Sequence, residues 1–157
     1  MFKISKSISL SISIAVSFVF FFICIAGLFI LPDLTEMLIN IPDNLGDRDS
    51  ISNIGRILVM FTAYCIVLDF ILADVLLFFI LIRVKNGQVF TPATVSLIRG
   101  VSWCCFLLCL FFGVLGRWFQ LAFIVSFLAI FLGICLRVVK NVIEEATEIK
   151  NENDLTV

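Results

Sequence analysis

The chain predicts an all-α membrane protein: four transmembrane helices in an antiparallel bundle, both termini cytoplasmic, with the fourth helix extended into a cytoplasmic tail. Three observations carry this. The 157 residues are 62% hydrophobic and 15% charged, with a mean hydropathy of +1.19. Soluble domains average roughly 45–50% apolar and about 25% charged, so this chain has too little polar surface to cover itself in water. Its apolar residues also gather into four runs of the length that a helix needs to cross a bilayer, about 17–25 residues. Lys and Arg, finally, concentrate on alternate connecting segments.

The first span, residues 8–31, carries no charge and is expected to end at Pro32-Asp33, because proline has no N–H to continue the backbone ladder. Lys3 and Lys6 ahead of it give the chain the look of a signal peptide. The run is longer than the roughly 7–15 residues of a signal core, and no small-residue cleavage pattern follows it, so it reads as an anchor. Segment 32–56 is an acidic outer loop with Asp33, Glu36, Asp43, Asp47 and Asp49. The second span, 57–82, is apolar apart from Asp69 and Asp74.

Segment 83–96 is expected to form a cytoplasmic elbow. Val84-Lys85-Asn86-Gly87-Gln88 offers a glycine for a left-handed C-cap. Thr91-Pro92 then supplies an N-cap and a proline at the first helical position. Val95, Ile98 and Ser102 share a face with Arg99 beside it, which predicts a helical elbow lying at the inner interface. The third span, 97–115, closes at Gly116-Arg117, a two-residue turn into the fourth span, 118–139. In the tail, 140–157, Val142, Ala146 and Ile149 continue from Val138 at helical spacing beneath Glu144, Glu145, Glu148 and Lys150. Trp118 suits the aromatic belt of the outer boundary, whereas Trp103 lies too deep for the inner one unless the third helix begins late.

Orientation follows from the cations. Lys3, Lys6, Arg83, Lys85, Arg99, Arg137, Lys140 and Lys150 fall on one side, against Arg48, Arg56 and Arg117 on the other. Eight against three places both termini in the cytoplasm, and the expected location is a cytoplasmic (inner) membrane.

Chemistry has few candidates. The chain contains no His, which removes the commonest general base and metal ligand. A net charge of −1 and a pI near 5.3 argue against direct nucleic-acid binding. Cys24, Cys65, Cys104, Cys105, Cys109 and Cys135 all lie in apolar runs and read as small buried hydrophobes rather than a metal set. No catalytic residue, cofactor or metal is expected, and the chain reads as non-enzymatic. The distinctive residues are Asp69, Asp74 and Arg99. Five residues apart on a helix, Asp69 and Asp74 project about 140° from one another and cannot form a carboxylate dyad. Asp74 is expected to pair with Arg99 and lock the second span to the third. Asp69 is expected to make a protonated or hydrogen-bonded interhelical contact, with a proton or ion site as the alternative.

Gly87-Gln88-Val89-Phe90-Thr91, followed by Val95 and Ile98-Arg99, resembles the central loop of small bacterial four-helix membrane proteins classed as domain of unknown function 2975. The ending Ile143-Glu144-Glu145-Ala146, Lys150 and Glu152-Asn153-Asp154-Leu155-Thr156-Val157 is similar to that family's C-terminal signature. Thr94 departs from the pattern, where a polar amide is expected. The resemblance implies no catalytic residues. It implies a cytoplasmic partner of the Xre-like helix-turn-helix type; the face expected to do the contacting is formed by Phe90, Arg99, Glu145, Asp154 and Leu155. The remaining partners expected are the lipid bilayer and a second copy of the chain in a homo-oligomer. The rival reading is a small transporter or immunity-type membrane protein using Asp69.

Overall fold

The computed structural model describes residues 6–40 and 52–155, with side chains over 8–39 and 52–152. Four helices account for nearly all of it: α1 (Lys6–Asn40), α2 (Asn53–Lys85), α3 (Pro92–Leu115) and α4 (Gln120–Leu155). Each is long and apolar enough to cross a membrane. At 1.5 Å per residue, the 36 residues of α4 extend about 54 Å, well past a hydrocarbon layer about 30 Å thick.

The burial pattern is inverted relative to a soluble protein. Phe29, Phe61, Phe127, Leu121 and Ile124 stand exposed, while Ser17, Thr35, Thr62, Thr94, Ser102, Ser126 and Thr147 are buried. In water that arrangement would forfeit most of the hydrophobic driving force. Inside a bilayer it is favourable, because lipid solvates the apolar faces and small residues let helix backbones approach closely. The chain is a multi-pass membrane protein.

Helix contacts follow chain order. Among the described residues, α1 packs on α2, α2 on α3 and α3 on α4, and no other pair of helices meets. The row is therefore open between α1 and α4. On α4, the residues turned inward are Ala122, Ser126, Ala129, Gly133, Leu136 and Lys140, spaced alternately four and three apart. The α3 surface opposite them is also small. Ser102 donates to the Gly133 carbonyl at 2.9 Å, and Ser126 to the Cys109 carbonyl at 2.8 Å. Ile66, Leu108 and Ala129 join α2, α3 and α4 in one apolar cluster, against which Phe70, Phe111 and Phe112 pack.

Several boundaries differ from expectation. Pro32 does not end the first helix, since α1 runs through it to Asn40. Proline costs one rung of the ladder and some steric relief, and Thr35 ties back to the Pro32 carbonyl at 2.8 Å within the continuing turn. The expected two-residue turn before the fourth span is longer: Gly116 to Phe119 separate α3 from α4. Gly116 adopts ordinary right-handed geometry, and its space is taken by the Phe123 ring, 2.9 Å from where a Cβ would sit. The elbow is no separate interfacial helix but a capped turn between two continuous helices. Asp43, Asp47 and Asp49 of the outer loop lie outside the described residues.

The α2–α3 turn is built as its residues suggest. Gly87 has φ +74°, with its N–H bonded to the Val84 carbonyl and that of Gln88 to the Arg83 carbonyl, a Schellman closure. Thr91 is the N-cap of α3, and Pro92 opens the helix. Thr94, 1% exposed, donates to the Gln88 carbonyl at 2.9 Å and lies 2.9 Å from the Thr91 hydroxyl. Its buried hydroxyl thereby ties the start of α3 to the preceding turn.

Candidate functional site: two intramembrane carboxylates and a charged helix end

Asp69 and Asp74 are both 6% exposed. Val59, Thr62, Ile66 and Asp69 recur at three- and four-residue spacing and are all buried, so Asp69 belongs to the face of α2 that packs on α3. Cys104 of α3, itself buried, stands against it. Five residues on, Asp74 turns the other way, toward α1, and accepts a hydrogen bond from the Ser17 hydroxyl at 2.8 Å. The angular separation expected from their spacing thus puts one carboxylate in each of the two interfaces that α2 makes.

Their environments differ. Asp69 Oδ2 is buried without a hydrogen-bond partner. Asp74 is satisfied by Ser17, and the two line grooves of about 180 and 610 Å³. The larger groove is walled by α1 and α2 with Val101 of α3 at its edge, and nearly everything but Ser13, Ser17 and Asp74 around it is apolar.

Arg99 does not meet Asp74. Its guanidinium pairs with Glu144 Oε1 of α4 at 3.4 Å, because Arg99 projects from α3 toward α4, whereas Asp74 faces α1. Glu144 also takes a hydrogen bond from the Lys140 ammonium one turn earlier. This Arg99–Glu144–Lys140 knot, rather than an α2–α3 ion pair, fastens α3 to the part of α4 beyond its apolar run. Arg137, one turn before Lys140, lies over the Trp103 ring at 5.4 Å and the Phe106 ring at 5.6 Å. Trp103 is 55% exposed and serves as a platform for that cation.

Of the residues expected to meet a partner, Phe90 and Arg99 are exposed on or near the α2–α3 turn, and Glu145 is exposed on α4. The side chains of Asp154 and Leu155 lie outside the described residues. The tail stripe is split. Thr147 is buried and Ile143 and Ala146 half-buried, whereas Val138, Val142 and Ile149 stand 58–60% exposed. The inward face of the tail follows the small-residue stripe of α4 through Lys140, Ile143 and Thr147, which leaves the expected apolar stripe largely outward. Cys135 is likewise exposed rather than buried.

Ser17, Glu144 and the Arg137–Trp103 stack were not expected from sequence. Ser17 had one available signal, a hydroxyl in an apolar run, but nothing local names a partner 57 residues away.

The family model described as protein of unknown function (DUF2975) matches residues 7–157. No curated protein and no solved structure matches the chain.

Proposed function

The chain belongs to the DUF2975 family, and from that premise we propose a non-enzymatic membrane anchor that holds or modulates a cytoplasmic protein through the α2–α3 turn and the tail of α4. The proposed setting is a bacterial cytoplasmic membrane, with neighbouring helices antiparallel and both termini inside. The cation bias supports the orientation, and the Ser102–Gly133 and Cys109–Ser126 contacts support the antiparallel arrangement.

One observation carries the reading: the tail is a projecting helix whose Val138, Val142 and Ile149 are exposed at helical spacing beside exposed Glu145 and Glu148. An acidic-apolar face repels an anionic membrane surface and suits a groove that is apolar with a basic rim. A small helix-turn-helix regulator, which must be basic to bind DNA, is the partner of that chemistry. Removing residues 151–157, or introducing V142E with I149E, should abolish recovery of the partner from native membranes while membrane insertion persists. The same protein recovered undiminished with both variants would refute the proposal.

A second reading rests on Asp69, whose buried, unpartnered Oδ2 is the kind of group a proton or ion path would use. Asp69→Asn keeps the shape and removes the titration. On the anchor reading it leaves ion permeability of proteoliposomes unchanged. Proton flux in the unaltered protein that disappears in the variant would instead make the chain a conductor.

A further inference from the structure

Where the α2–α3 turn end of α3 meets α4, a pocket of about 270 Å³ is lined by Arg99, Ser102, Arg137, Lys140 and Asn141. Three of the five are cations in a chain that has only eleven. The two grooves beside Asp74, by contrast, hold none. The carboxylate that touches these cations is Glu144, on Arg99 and Lys140, which leaves the cluster with an excess of two positive charges. Arg137 makes no ion pair among the described residues; its guanidinium carbon lies 5.4 Å from the Trp103 ring centre and 5.6 Å from that of Phe106, contacts that leave its charge without a counter-anion. Asn141 accepts from Lys140 through Oδ1 at 3.2 Å and carries two amide N–H donors besides. Ser102 is already committed to the Gly133 carbonyl and shapes the wall.

We propose that this pocket binds a phosphate group. A planar guanidinium fork, an ammonium and an amide donor match the tetrahedral oxygens of a phosphate, and three cations lining one pocket call for a counter-anion beyond Glu144. Two sources share that chemistry: the phosphodiester of an anionic phospholipid and free phosphate. The surroundings favour the lipid. The pocket opens where the apolar run of α4 ends, and exposed Trp103 and Ile134 beside it offer a surface for acyl chains. Basic pockets between spans, at the membrane interface, take lipid head groups in this way.

The test is native mass spectrometry of the full chain released from mixed phosphatidylglycerol and phosphatidylcholine nanodiscs, scoring lipid retained. Phosphatidylglycerol should be retained in strong preference. With about 1 kcal/mol per cation near an anionic surface, the R137Q/K140Q variant should lower that preference roughly 30-fold, while Arg117→Gln at the opposite end of α3 should not. A wild-type measurement independent of any variant is salt: the preference should fall as ionic strength rises. In a second arm, inorganic phosphate is added to the protein in phosphatidylcholine nanodiscs and thermal stabilisation is read. Stabilisation there without phosphatidylglycerol preference assigns the site to free phosphate. Equal retention of both lipids with no stabilisation by phosphate, or a preference that R137Q/K140Q leaves intact, overturns the proposal.

Discussion

Gly133→Leu should separate α4 from α3 and cost upwards of about 3 kcal/mol, the upper range for overpacking a dense interface. A Cβ at Gly133 would already lie 3.2 Å from the Cys105 Cβ and 3.3 Å from the Phe106 ring. The far larger isobutyl group has nowhere to go but into α3. The Ser102–Gly133 hydrogen bond runs through the same contact, so the displacement also takes from the Ser102 hydroxyl an acceptor that lipid cannot replace. Gly27 is the control, because a Cβ there meets nothing within 4 Å. Thermal unfolding in detergent should show a large drop in midpoint for Gly133→Leu and little change for Gly27→Leu. Equal behaviour of the two would mean that α3 and α4 are not packed this tightly.

The second large effect belongs to Ser17. Ser17→Ala removes the hydroxyl that donates to Asp74 and leaves a buried carboxylate oxygen without its partner. A hydrogen bond contributes about 0.5–1.5 kcal/mol, and a buried polar group left without its partner carries a desolvation penalty of about 1–3 kcal/mol. We expect a loss of about 2 kcal/mol in reversible unfolding, with most of it recovered when Asp74→Leu is added, since removing both partners is much less costly than removing one. Ser13→Ala, one turn away with its hydroxyl bonded to the Ser9 carbonyl of its own helix, should be nearly neutral. If the double variant were no more stable than the single one, the Ser17–Asp74 bond would not be what joins α1 to α2.

What could be read in advance divides along physical lines. Span number and apolar character were legible because crossing a bilayer is a matter of length and composition, and the Schellman turn at Gly87 and the Thr91 cap because they depend on a few adjacent residues. The opposed directions of Asp69 and Asp74 followed from helical geometry alone. Arg99 was assigned the wrong carboxylate because its reach is long and its choice between Asp74 and Glu144 turns on which side of α3 it projects from, a matter of packing rather than spacing. The helical spacing of the tail stripe was legible, but not which residues of α4 turn inward: that face is set by small size, through Ser126, Ala129 and Gly133, and leaves Val138, Val142 and Ile149 outward.

The open row of helices has a consequence for how the molecule can be made. Every contact between helices joins neighbours in the chain, across connections of twelve, six and four residues. Each segment leaving the ribosome therefore finds the helix before it already in the membrane, and none must wait for more than the next one. Short closures of this kind carry a small entropic cost and favour fast assembly. The order of synthesis is then also an order of assembly, with α4 added after α3 and packed on it. The approach of α4 to α3 can therefore be delayed without unmaking the contact between α1 and α2.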